Sequence, residues 1–183
     1  MQFFYDQIKA VQAATYLVNK RGGKHDFGSL VKLLYLADRE TLLTSGGSIT
    51  GGYPTCLPYG MVLSEVLDNA NWTTDNPYWR QFLSKPEEES NQVHLITTPP
   101  IPDHLSEFER DILDAIDQKY GNWSFHQLRQ FTHDLPEYQD PNGSSIRIDP
   151  EIIMQKAGIK KEYIQEITAQ VAARRLLHTL LQK

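Results

Sequence analysis

The sequence predicts a mainly α protein, a compact helical bundle with a small β ribbon or hairpin. Three observations carry that reading. Apolar residues recur at helical spacing through most of the chain. Capping signals stand in front of those runs at Asp26, Asn76, Ser106, Ser124 and Asp149. Only two short segments, 93–98 and 146–148, have the β-branched content of strands.

The first helix is expected from about Gln2 to Asn19, with Phe4, Ile8, Val11, Thr15 and Val18 on one stripe, and Arg21-Gly22-Gly23 ends it. A second helix starts at Asp26. Its apolar positions Leu30, Val31, Leu33, Leu34 and Leu36 point most of the way round, the pattern of a central helix. Residues 45–60, rich in Gly and Pro, read as a structured loop, followed by helix from about Met61 to Asn69. Asn76-Pro77 opens a short helix carrying Tyr78, Trp79 and Phe82. Val93 to Thr98 is expected to pair with Ile146-Arg147-Ile148 as the ribbon. Capping boxes at Ser106/Glu109 and Ser124/Gln127 open two further helices, the first with Leu105, Phe108, Ile112, Ile116 and Tyr120 on one face, the second with Phe125, Leu128 and Phe131. A helix after Asp149-Pro150 ends near Gly158. The last, from about Lys160 to Leu181, places Ile164, Ile167, Val171 and Leu177 on a stripe. The expected organisation is one domain over residues 1–158, with a C-terminal helix over 159–183 that packs on it or extends to a partner.

Composition narrows the function classes. Hydrophobic residues at 40% and charged residues at 22% are the balance of a folded chain. A net charge of −5 repels phosphate backbones, so nucleic acid is a disfavoured partner. One cysteine, Cys56, excludes an intrachain disulfide and a Cys-rich zinc site. No apolar run approaches the ~20 residues that span a bilayer. The start lacks the basic and apolar stretches of a leader, so the expected compartment is the cytoplasm.

Chemistry is sparse. His126 and His133 lie seven apart, without the further ligands that a zinc site requires. Cys56 has no signature of a nucleophile around it and reads as a small buried hydrophobe. Gly46-Gly47 and Gly51-Gly52 lack the Lys-Ser/Thr of a phosphate loop and serve tight turns. Asp38, Glu40 and Glu65 read as ion-paired or solvated carboxylates. No catalytic residue, metal or cofactor is assigned, and the chain is read as a non-enzyme. The helix pair from Phe108 to Phe131 has the look of a winged-helix unit, so a DNA-binding transcriptional regulator is the alternative, with Gln127, Arg129 and Gln130 as its only reading side chains.

The segment from Lys32 to Val66 is more specific. Lys32-Leu33-Leu34-Tyr35-Leu36-Ala37, a glycine loop, then Tyr59-Gly60, Val62 and Glu65-Val66 resemble the hallmark of the Panacea domain family, the SocA-like antitoxin domain. A second block, Leu105 to Gly121 and Leu128 to Thr132-His133, resembles the family's later motif in the right order. Met61 stands where the family usually has proline, and Leu135-Pro136-Glu137-Tyr138 replaces its proline-tryptophan element. The resemblance implies a bacterial, often phage- or prophage-associated antitoxin of a toxin–antitoxin system, which neutralises a toxin encoded by a neighbouring gene through direct protein contact. It also implies a possible second partner, a protease to which the toxin is delivered, and no enzymatic activity. The partner-binding candidates are Tyr53, Trp72, Tyr78 and Trp79, aromatics that flank loops. Lys32, Tyr35, Tyr59, Gly60, Glu65, Thr132 and His133, which carry the motif, are assigned structural roles.

Overall fold

The computed structural model describes residues 1–181. The helix Phe27–Ser45, α2 in chain order, organises it: 13 of its 19 residues are buried. Around it lie α1 (Gln7–Lys20), α3 (Ser64–Ala70), α4 (Pro77–Phe82), α5 (Glu107–Tyr120), α6 (Phe125–His133), α7 (Pro150–Lys156) and α8 (Lys161–Leu181). The strands are β1 (Lys24–Asp26), β2 (Pro54–Leu57), β3 (Gly60–Leu63), β4 (Gln92–His94) and β5 (Ile146–Arg147). Helix α2 touches α1, α3, α5, α6, α7, β1 and β3, so it has almost no solvent face. The fold is mainly α with small antiparallel ribbons.

The helix starts follow local chemistry. Asp26 accepts from Ser29 N at 2.7 Å, and both capping boxes close, at Ser106/Glu109 and Ser124/Gln127. Asn76 and Asp149 cap α4 and α7, each followed by its proline. Helix α1 begins later than the stripe implied. The Asp6 carboxylate accepts from Ile8 N and Lys9 N, so the helix starts at Gln7 and Phe4 stays outside it.

The ribbon is corrected. Val93 faces His25, because β4 pairs with β1. Ile146 faces Cys56, because β5 joins the edge of β2. The stretch expected as loop supplies the missing strand: Pro54–Leu57 pairs with Gly60–Leu63 as a hairpin, whose order is β3-β2-β5. Residues 61–63, expected as helix, belong to β3, and α3 starts at Ser64. Prolines at 54 and 58 hid the strand, since proline removes a ladder donor and weakens the alternating pattern.

The C-terminal end of α2 is locked by Asp38. Its buried carboxylate accepts from Ser48 Oγ (2.9 Å), Ile49 N (2.7 Å), Thr50 N (3.0 Å) and Thr50 Oγ1 (2.6 Å). These bonds fold residues 46–52 back onto the helix. Gly51, at φ +70°, lies so close to the N-terminal segment that a Cβ there would be 1.7 Å from Phe4 O. Helix α8 buries Ile164, Ile167 and Val171, and Ile167 presses into the space that Gly46 leaves. Leu177, placed inward by its spacing, is 59% exposed, because at that turn α8 meets the N-terminal segment through Arg175 and His178, which lie against Phe4.

Replacing Asp38 by Asn sets an amide donor against backbone donors. We expect a loss of about 3 kcal/mol in denaturant unfolding, with faster hydrogen exchange at Ile49 and Thr50. Unchanged exchange at these two amides would show that the loop holds its shape without the carboxylate.

Candidate functional site

The motif residues Lys32, Gly60, Thr132 and His133 are up to about 100 positions apart and meet at one place. Lys32 projects from the N-terminal half of α2 and is 1% exposed. Its Nζ donates at long range to Met61 O (3.5 Å) and Thr132 Oγ1 (3.4 Å). The ring of Phe125 lies with its centroid 5.8 Å away. No carboxylate among the described residues pairs with the ammonium, and the charged group acting on it is the Arg129 guanidinium. Burial, reinforced by that repulsion, pushes Lys32 down to about 7.

Gly60 is required here twice over. Its φ of +99° is a left-handed conformation. A Cβ there would also be 2.2 Å from Thr132 Oγ1 and 2.8 Å from Lys32 Nζ. Thr132 is fully buried and donates to Arg129 O at 3.0 Å. His133 stacks on Tyr138 (4.3 Å between centroids, 16°), and Tyr138 Oη donates to Leu57 O at 3.2 Å. Burial first, then Arg129 and Lys32, lower the His133 pKa, so the ring is neutral near pH 7. Arg129 lies over the Tyr59 ring at 5.2 Å. Tyr59 itself is 61% exposed, so it is a surface residue as well as a motif residue.

Beneath this pole a cavity of about 350 Å³ opens between α2, the β2–β3 turn, α3 and the start of α6. Lys32 and Gly60 form part of its wall, with Phe27, Val31, Val62, Leu67 and Phe125 as its apolar lining. Gly28 lets Phe125 press onto α2, since a Cβ at that position would be 2.7 Å from the ring.

One turn further along α2 the other motif residues find partners. Tyr35 Oη donates to Glu137 Oε1 at 2.8 Å, and Arg39 Nε donates to the same oxygen at 2.5 Å. Glu137 is buried and comes from the segment that departs from the family pattern. Glu65 Oε2 accepts from Tyr53 N (2.6 Å) and Ser64 Oγ (3.0 Å), which ties the loop to the first turn of α3.

The aromatic candidates do not form one cluster. Tyr53 is half-buried beneath Arg147, Trp72 packs with Arg80, and Tyr78 packs edge-on against Phe82. Trp79 is 1% exposed and belongs to the core, so it offers no surface to a partner. Its short helix buries the face carrying Trp79 and Phe82, which spacing over only six residues could not reveal. Glu137, Arg39 and Phe125 were missed as site residues, and Arg129 was singled out only as a reader of DNA. None stands in a local pattern that separates it from an ordinary charge or core ring.

Among the described residues no three His, Cys, Asp or Glu side chains gather as a metal site. Cys56 is a buried thiol in sulfur contact with Met61 (3.2 Å), and desolvation raises its pKa. No helix among the described residues is long and apolar enough to cross a membrane.

Residues 30–139, more than half of the chain, match the family described as "Antitoxin SocA-like, Panacea domain". The chain belongs to that family. No curated protein and no solved structure matches it. All seven motif residues lie inside the matched span, six of them at one pole of the fold and the middle of its central helix, and Glu65 where the loop joins α3. Helices α1, α7 and α8 lie outside that span.

The buried lysine has a thermodynamic signature. An unfolded chain holds the Lys32 proton up to an ordinary 10.5, and the folded chain only to about 7. Between those values the unfolded state binds more protons, so stability from this group rises with pH, and its penalty is fully present below 7. A tenfold change in protonation equilibrium is worth ~1.4 kcal/mol. Lys32→Met is therefore expected to raise the unfolding free energy by a few kcal/mol at pH 6.5, a gain that shrinks as pH approaches 10.5. A gain that is constant with pH, or a loss, would show that the ammonium is compensated in the native state. Gly60→Ala is expected to cost at least ~2 kcal/mol in thermal or denaturant unfolding. A neutral result would mean that the turn and Thr132 relax.

Proposed function

We propose that this protein is a cytoplasmic antitoxin that neutralises a cognate protein toxin, encoded by a neighbouring gene, by direct binding. The family match over residues 30–139 carries the reading. The architecture supports it, because a rigid body with a solvated aromatic and arginine pole is what a contact inhibitor needs.

The surface we assign to the toxin is centred on Tyr59, Arg129 and Phe125. Tyr59 and Phe125 share the cavity rim, and Arg129 stacks on Tyr59, so the three are contiguous. Tyrosine and arginine are the residue types that most often dominate binding energy at protein interfaces. Tyr53, Trp72 and Tyr78 form a second, dispersed set, each half-buried against its own neighbour. The alternative, a DNA-reading α6, is weakened by local contacts. Gln127 closes its own capping box, Arg129 lies over Tyr59, and Gln130 donates to Asp134 at 3.0 Å.

Co-expression with the neighbouring toxic reading frame is expected to restore growth, and the two chains should co-purify. Tyr59→Ala and Arg129→Ala are expected to weaken the complex by about 2 kcal/mol or more each while leaving the fold intact. Tyr53→Ala, Trp72→Ala and Tyr78→Ala are expected to have smaller effects. If the second set abolishes rescue and the first does not, the interface lies elsewhere. The toxin's half-life separates two routes: unchanged for occlusion, shortened by co-expression for delivery to a protease. No rescue by a well-folded protein would remove the proposal.

A further inference from the structure

An ammonium inside a protein is costly unless a counter-charge accompanies it, which is why lysine is rarely buried unpaired. Position 32 lies on a helix packed against β3, whose four residues are all buried, a setting where methionine or leucine would pack without that cost. The two contacts that Nζ makes, at 3.4 and 3.5 Å, are at the limit of hydrogen bonding, and both go to neutral oxygens. The same lysine stands in the wall of a cavity whose volume matches that of small-molecule sites. Most of the lining is apolar, and Asn91 and Tyr59 stand among the polar lining residues. One unpaired cation in an apolar chamber defines the missing piece: a single negative charge on a hydrophobic body.

We propose that the cavity is a binding site for an apolar monocarboxylate, its carboxylate on Lys32 Nζ and its body against Val31, Val62, Leu67 and Phe125. Carboxylate is favoured over phosphate because Lys32 is the one cationic side chain that lines the cavity among the described residues. A dianion would be left largely uncompensated. Phe125 closes one side and is 37% exposed, so it is placed to move aside for entry. An apolar body ending in a carboxylate is found both in a free short-chain acid and in the last residue of a polypeptide. The site is a property of the isolated protein and stands whether or not the chain neutralises a toxin.

The test uses the purified full chain, calorimetry, and amide chemical shifts. The probes are octanoate against octan-1-ol, and N-acetyl-leucyl-phenylalanine against its C-terminal amide. At least one acid is expected to bind saturably, about tenfold or more tighter than its uncharged counterpart, and to shift the amides of Gly60, Val62 and Phe125. The acid that binds tighter identifies the source. Lys32→Met is expected to reduce that affinity to the level of the neutral probe. Leu67→Trp, which fills the cavity and leaves Lys32 in place, is expected to weaken binding of the charged and neutral probes together. Equal binding of acid and neutral probe, undiminished binding by Lys32→Met, or no binding of either acid would overturn the proposal.

Discussion

Near-complete enclosure of α2 is the constraint on which the structure depends. A helix surrounded by seven other elements can bury apolar side chains freely, and short hydroxyls such as Thr41 bond its own carbonyls, but its longer polar groups must be answered from another part of the chain. Four such groups, Lys32, Tyr35, Asp38 and Arg39, run along the helix at spacings of three, three and one. Each recruits a segment that has no regular structure of its own or lies far away in sequence. Asp38 gathers the glycine loop, and Tyr35 with Arg39 gathers Glu137. Lys32 meets the hairpin and the end of α6. Polar burial, more than apolar packing, decides which loop lies against which turn of this helix.

The charges are treated unequally. Asp38 is surrounded by hydroxyl and backbone donors, and Glu137 by a phenol and a guanidinium in near-ideal reach. Both anions are answered inside the fold. Lys32 is the cation left over. The asymmetry places the molecule's unmet electrostatic demand at one end of its central helix, next to its most exposed aromatic motif residue, Tyr59.

Legibility in the sequence follows the range of the interaction. Capping at Asp26, Ser106 and Ser124 was readable because donor and acceptor lie within three residues. The central position of α2 was readable because its apolar residues point most of the way round the helix. The strand partners were not, since two- to four-residue strands carry too little pattern to choose between β2 and β4 as a mate for Ile146. Trp79 looked like a loop-flanking anchor for the same reason: a helix of six residues is too short to show which side is buried. Lys32, Gly60 and Thr132 were marked as a group by family resemblance, but their convergence is a contact across about 100 residues, and nothing local encodes it. The Glu137 carboxylate was the least legible. It lies where this chain departs from the family pattern, yet it answers both the motif residue Tyr35 and Arg39 of α2.

The matched span is shorter than the body that packs. Helix α1 precedes it, yet Val11, Ala14, Leu17 and Val18 are fully buried. A chain cut at residue 30 would expose that face of the core. The two ends of α2 therefore play opposite parts. At the C-terminal end Asp38, Gly46 and Gly51 bring the loop, α8 and the N-terminal segment into contact close enough to exclude a Cβ, which leaves little room for motion. At the N-terminal end Gly28 and Gly60 likewise allow close approach, but of a half-exposed ring and an unpaired ammonium beside open space. The polar groups are satisfied at the first end and left open at the second, where the proposed binding surface lies. A contact protein requires that division, because a surface whose every charge is already answered has little to offer a partner.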